Sequence, residues 1–473
     1  MRVHFVAIAG TGMGSLAGLL KGRGWQVSGS DEGVYPPMST ALEAWGIPVD
    51  EGFSPAHLEA RRPDLIVIGN AVRPDNPEAK AALASGIPVL SFPDALYEHA
   101  MAGRHPVVVT GTHGKTTTTS LIATLLYELG RDPSMLVGGI TANFETSFRE
   151  GGGPEFVVEG DEYDTVFFDK TPKFLHYHPA TLVITSIEFD HADIYRDLAH
   201  VEEQFALLVS RMPADGRIIA AAGAETVDRA VADAPCEVVR YGLEPEGRGA
   251  DYVAAHLETD EAGTRFDVRY RGESVASARL GLVGRHNAAN ALAGLAVVHG
   301  RGVELAEAAG ALAAYRGVKR RQEVRGEAAG VLVVDDFAHH PTAVQGTLEA
   351  LAESHRGRRL VAVFEPRSNT SRRALFQEAY ARAFDAAGYV VVARVSEDPI
   401  YSATGEVTER LSADRLARDL DQPGRPAVAC ADADAIVAHL LPVLEPGDVV
   451  VTLSNGGFGG IWDKLLEGLR ARG

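Results

Sequence analysis

The stretch Val107-Val108-Val109-Thr110-Gly111-Thr112-His113-Gly114-Lys115-Thr116-Thr117-Thr118 decides how the rest of the chain is read. An apolar, β-branched run enters a glycine turn, and Lys and Thr then open a helix-forming segment over 116–129. That order predicts a buried strand, a loop and a helix whose start faces the loop. Glycines let backbone N–H groups turn inward on an anion, and the helix start adds positive potential. Lys115 brings a mobile cation and the Thr116 hydroxyl suits Mg²⁺. The spacing is tighter than the general phosphate-loop signature, which would place glycine where Val109 stands, so the motif is a shortened G-x-x-G-K-T. Gly111, Thr112, His113, Gly114, Lys115, Thr116 and Thr117 are therefore expected to hold nucleotide phosphates. The loop alone names no reaction.

Before this stretch, short β-rich runs at 3–8, 26–30, 65–69 and 88–92 alternate with helical ones such as 13–23. The alternation predicts a parallel sheet with flanking helices, and 102–106 reads as a linker. After it come predicted strands at 155–159, 181–186 and 217–221, a hairpin-like patch over 252–257, 264–270 and 274–280, and helices near 287–299 and 305–315. A charged stretch, Lys319-Arg320-Arg321-Gln322-Glu323, precedes strands at 331–335, 360–364, 389–393, 427–429 and 449–453. The expected organisation is α/β in three domains. Residues 1–103 would be Rossmann-like, 104–318 a P-loop ATPase-like mononucleotide-binding domain, and 319–473 a second Rossmann-like, doubly wound sheet.

Gly10-Thr11-Gly12-Met13-Gly14 follows the first strand, with Asp31 closing the second. This invites a dinucleotide reading, and hence a nicotinamide-dependent oxidoreductase, but position 15, where the fingerprint's last glycine belongs, is Ser15. That reading also leaves 111–118 without a purpose.

Bulk numbers narrow the field. Lys plus Arg is 45 against 64 for Asp plus Glu, a net charge of -19, which disfavours nucleic acid and anionic membranes as partners. The two cysteines, Cys236 and Cys430, are too far apart for a CxxC site. The apolar run at the N-terminus is short for a signal peptide and no stretch approaches a membrane span, so a cytoplasmic protein is expected.

Further stretches occur in an order that resembles the Mur ligase family. They are Gly111-Thr-His-Gly-Lys-Thr-Thr-Thr118, Glu159-Gly-Asp-Glu-Tyr-Asp164, Glu188-Phe-Asp-His191, His286-Asn-Ala-Ala-Asn290, Lys319-Arg-Arg-Gln322 and Asp335-Asp-Phe-Ala-His-His-Pro341. The resemblance spans essentially the whole chain. It implies an ATP- and Mg²⁺-dependent ligase in which Lys115, Glu159 and His191 are catalytic and Thr116, Glu159 and His191 bind metal. It also implies that Asn287, Arg320, Asp336 and His339 contact the nucleotide, with Arg321 an alternative to Arg320. Asp161, Glu162 and Asp164 read as loop solvation, and Asp190 as a partner orienting His191. Some members bridge their metals with a carbamylated lysine; no Lys occurs between Lys173 and Lys319, as in the muramate–alanine branch and its peptide-adding relative.

In that branch Gly10, Thr11, Gly12, Met13 and Gly14 would hold a UDP diphosphate, with Ser30 and Asp31 near the uridine. The continuation 163–170 and the stretches 364–370 and 454–460 resemble the peptide-adding members. Arg367, Asn369, Ser454 and Asn455 would then receive a peptide. The reaction implied joins the lactyl carboxylate of UDP-N-acetylmuramate to the amine of a diaminopimelate-containing tripeptide, L-alanyl-γ-D-glutamyl-meso-diaminopimelate, in a monomer acting on small molecules. The alternative amine is L-alanine.

Overall fold

The computed structural model describes residues 1–35, 38–403 and 405–472. Two compact units emerge, one built from Met1–Ile187, Glu202–Tyr241 and Ala293–Ala314, the other from Glu188–Val201, Gly242–Leu292 and Tyr315–Gly473.

The first unit holds two sheets. In the first, β1 (Arg2–Val6), β2 (Gln26–Asp31), β3 (Val49–Glu51), β4 (Leu65–Ile68) and β5 (Val89–Ser91) lie in the order β3-β2-β1-β4-β5. Every pair is parallel, with Val3 in register with Val27 and Leu65. The near-continuous apolar runs of β1 and β4 follow from burial on both faces.

The second sheet comprises β6 (His105–Thr110), β7 (Ser134–Leu136), β8 (Phe148–Arg149) and β9 (Glu155–Glu159). After a separate short hairpin, β10 (Asp164–Val166) and β11 (Asp169–Pro172), it gains β12 (Thr181–Ile184), β13 (Arg217–Ala221) and β14 (Glu237–Leu243). The order is β14-β13-β12-β6-β9-β7-β8. β6 lies between β12 and β9, parallel to both, with Val107, Val108 and Val109 fully buried. The linker expected at 102–106 is shorter than that, because His105 and Pro106 already pair with Glu155 and Phe156. Proline is tolerated there, at the beginning of a strand.

In the second unit β15 (Tyr252–Asp260), β16 (Gly263–Tyr270) and β17 (Glu273–Leu280) form the antiparallel patch expected from their alternation. A six-stranded sheet follows, from β18 (Glu323–Ala328), β19 (Val331–Asp336), β20 (Leu360–Phe364) and β21 (Tyr389–Ala393). Past a small hairpin, β22 (Ile400–Ser402) and β23 (Gly405–Val407), it is completed by β24 (Ala427–Cys430) and β25 (Val449–Leu453). Its order is β18-β19-β25-β20-β21-β24. All pairs are parallel except β18 with β19, so the doubly wound sheet carries an antiparallel edge. The charges of β18 hid it in the sequence; an edge strand can keep them in water. Among the described residues no helix is long and apolar enough to cross a membrane, and Cys236 and Cys430 are free.

Candidate active site

At the carboxyl edge of the second sheet β6 ends at Thr110 and the helix Lys115–Glu128 begins, so the chain between them turns within four residues. Gly111 takes φ 127° and passes so close to the end of β12 that a Cβ would lie 2.1 Å from the Thr185 hydroxyl. Three bonds fix the loop: Thr112 N–H to Ser186 O (2.9 Å), His113 N–H to Ser186 Oγ (3.0 Å) and Thr185 Oγ1–H to His113 O (2.5 Å). Gly114 caps the helix in the left-handed region, and Thr116 and Thr117 are buried in its first turn.

The expected Lys115, Thr116 and Glu159 come together here. Thr116 Oγ1 donates to Glu159 Oε1 at 2.9 Å, and Gly138 N–H donates to Glu159 Oε2 at 2.7 Å. A Cβ at Gly138 would meet that oxygen at 2.8 Å, so a side chain there would push the carboxylate aside. Burial raises the Glu159 carboxyl above its ordinary range, opposed chiefly by Lys115. A hydroxyl and a carboxylate within hydrogen-bond distance at a helix start are hard oxygen donors of the kind Mg²⁺ takes, so the residues fit that ion.

Lys115 Nζ donates to Gly111 O (2.7 Å), Thr112 O (3.3 Å) and Glu162 Oε1 (2.8 Å). Burial alone would lower its pKa, but Glu162, Asp161 and Glu159 outweigh it and raise it, so the ammonium stays charged. Glu162 is thus not loop solvation: it is only 4% exposed. Asp161 pairs instead with Lys173 at 3.2 Å, and Asp164 with Lys170 at 3.0 Å.

The glycine turn of the first sheet caps the helix Thr11–Gly22. Gly10 and Thr11 are exposed, Gly12 is partly so, and Met13 and Gly14 are buried. A cavity of about 520 Å³ opens here, lined by Ala9, Gly10, Met13, Asp31, Asn70 and Arg73 among others. Asp31 shapes its wall, accepting from Ala9 N–H (2.8 Å) and Gly33 N–H (3.2 Å). Ser30 is fully buried, and only its carbonyl serves the turn, accepting from Ala7 and Ile8.

The remaining expected residues belong to the second unit. Asp190 is buried and accepts from the backbone N–H of His191 at 2.7 Å. Burial would raise Asp190, but His191, His339 and His340 outweigh it and hold its carboxyl well below the usual range. His191 itself sits at φ 50°. His339 Nε2 is 3.9 Å from Asp190, and burial lowers its pKa. Beside them His340 caps the helix Pro341–Ser354, and Thr342 donates to Glu188 at 2.7 Å.

Asn287 is 5% exposed and its amide donates to Val283 O (2.9 Å) and Gln322 Oε1 (3.1 Å). Contact with an adenine edge through those N–H groups requires exchanging these bonds. Arg320 bonds Asp335 (3.1 Å) and Ser454 O (2.8 Å), while Arg321 stacks on Phe337. Asp336 accepts from Gln322 N–H and Ala338 N–H, both at 2.8 Å, and burial raises its pKa. Ser454, buried, donates to Glu365, and Asn455 is half-buried next to it. Asn369 contacts Asp193 (3.4 Å) and accepts from Arg372 (3.0 Å). Arg367 is exposed and lines a 600 Å³ cleft at the carboxyl ends of β20, β21 and β24. That cleft mixes cations (Arg367, Arg394, Lys464) with anions (Glu365, Asp432, Asp434).

Sequence reasoning missed Glu162, Gly138 and the Thr185–Ser186 wall. Glu162 stood in an acidic run whose spacing does not tell which carboxylate turns inward, and the other two act through the fold alone.

Fold and loop together define a class: an α/β protein of several sheets carrying a phosphate loop at the carboxyl edge of one of them. Models of Mur ligase domains match it in three successive stretches: "Mur ligase family, catalytic domain" over 2–104, "Mur ligase middle domain" over 109–298 and "Mur ligase, glutamate ligase domain" over 320–456. The chain belongs to the Mur ligase family of ATP-dependent, amide-forming enzymes. It is 40% identical over 472 residues to the UDP-N-acetylmuramate–L-alanyl-γ-D-glutamyl-meso-2,6-diaminoheptandioate ligase of Escherichia coli K12, covering 99% of this chain and 98% of that one. It is 37% identical over 478 residues to the UDP-N-acetylmuramate–L-alanine ligase of Acidothermus cellulolyticus, covering 100% and 95%. The crystal structure of a murein peptide ligase from Psychrobacter arcticus 273-4 matches 99% of each chain at 33% identity and TM-score 0.71.

Proposed function

We propose that this enzyme joins the lactyl carboxylate of UDP-N-acetylmuramate to the amine of L-alanyl-γ-D-glutamyl-meso-diaminopimelate at the expense of ATP, as a cytoplasmic monomer in cell-wall peptide recycling. The observation that carries the chemistry is the buried grouping of Lys115, Thr116 and Glu159 at one sheet edge. Similarity to the Escherichia coli ligase over nearly the whole of both chains supports the choice of substrates.

The carboxylate attacks the γ-phosphorus of ATP, releasing ADP and forming an acyl phosphate. The peptide's amine, as the free base, then attacks the acyl carbon; phosphate leaves and the amine's proton is lost as the amide forms. Lys115 screens the charge gathered on the transferred phosphoryl group, and the loop N–H groups orient it. Thr116 and Glu159, with His191 by family resemblance, would hold Mg²⁺, which supplies further neutralisation when bound. The UDP diphosphate suits the exposed helix start at Gly10 and Thr11. The mixed-charge cleft at Arg367 suits a zwitterionic peptide end, because each ligand charge finds an opposite one.

The test is phosphate release with UDP-N-acetylmuramate and either amine. The tripeptide should win by about 100-fold or more in kcat/KM, since a site built for its charges is left unpaired by alanine. Faster turnover of alanine would favour the alternative reading, which the Acidothermus cellulolyticus relative supports.

A further inference from the structure

An ammonium has three N–H donors, and in Lys115 all three are taken, by the carbonyls of Gly111 and Thr112 and by the Glu162 carboxylate. A phosphate oxygen can meet this lysine only if one of them is given up. The two carbonyls belong to the loop, whose path is fixed by Thr185 and Ser186. The carboxylate is the exchangeable partner, because an incoming polyphosphate carries the same sign of charge.

Glu162 is also the member of its acidic run that addresses Lys115 directly. Asp161 is turned to Lys173, and the ring of Tyr163 lies under the same Lys173 ammonium at 5.5 Å. The backbone on either side is tied down, with Lys173 N–H on Tyr163 O (3.1 Å) and Phe174 N–H on Asp161 O (3.3 Å). Glu162 is therefore a buried acceptor at a fixed place.

We infer that Glu162 is a positioning residue that parks Lys115 while the phosphate loop is empty and yields it to the nucleotide. Parking keeps the lysine charged and folded against its own loop. Each binding event must open the Lys115–Glu162 pair, which weakens the grip on nucleotide relative to what the loop could reach. The inference deepens the nucleotide-binding reading above and rests on it.

The experiment is calorimetric titration of the full-length protein with AMP-PNP and magnesium, comparing wild type, Glu162→Gln, Lys115→Ala and the double variant. Glu162→Gln should tighten Kd by about tenfold, the scale of one charge-assisted hydrogen bond. On the Lys115→Ala background the same change should matter by less than about twofold. Unchanged or weaker binding in Glu162→Gln overturns the inference. So does equal tightening with and without Lys115, which would mean simple charge repulsion. Should Glu162→Gln melt below the assay temperature, Glu162→Asp serves: it keeps the charge, loses the reach, and should also tighten binding, whereas wild-type affinity in a folded Glu162→Asp overturns parking. If wild type fails to bind AMP-PNP, the nucleotide reading itself falls and takes this inference with it.

Discussion

Lys115, Thr116 and Glu159 show how far single residues can be read from a sequence. Lys115 and Thr116 were legible because a glycine turn between strand and helix has few other uses. Glu159 was legible because a carboxylate ending a buried strand needs partners, and it has them in Thr116 and Gly138. Lys115→Ala should reduce phosphate release by at least about 1,000-fold with little change in melting temperature, because it removes the cation that screens the transferred group. Glu159→Gln should raise the magnesium concentration for half-maximal phosphate release roughly 10- to 100-fold, read by metal titration at saturating substrates. Ser30, Asn287 and Arg320 were legible as motif members, yet their present contacts are internal. Motif spacing records which residues lie near a site and not which way each side chain faces.

At the scale of elements, strands buried on both faces were located closely, as at β9 and β20, since their runs are continuously apolar. Edges were not: β18 is charged and kinked by a bulge between Val324 and Gly326. The turn after β6 depends on one conformation. Gly111→Ala should cost about 2–4 kcal/mol in urea unfolding and abolish AMP-PNP binding, since its Cβ would strike the Thr185 hydroxyl at positive φ. The start of β6 carries a pH effect. Burial, then Arg301, lowers His105 to about 4. The unfolded chain therefore takes up this proton first, near pH 6.5, so stability is lost as pH falls from there towards 4. His105→Gln should flatten that part of the curve of melting temperature against pH.

Over the whole molecule, the compact units interleave along the chain, which no local pattern foretells. The six-stranded sheet is different, for its two cores draw their buried residues from within 328–469. A fragment spanning 320–473 should fold alone, giving a dispersed amide spectrum and cooperative melting. A fragment ending at 187 should lose the second sheet's cooperativity, because β13 and β14 lie beyond it. By itself the sequence determined the α/β class, the parallel sheets, the phosphate loop and the family, because these rest on periodicity and on short motifs whose geometry is local. Only the tertiary structure decided which carboxylate meets Lys115, which glycines admit a neighbour, and which motif residues are spent on internal bonds. Those outcomes depend on side chains brought together from distant segments, at separations of a few ångströms that one-dimensional spacing does not encode.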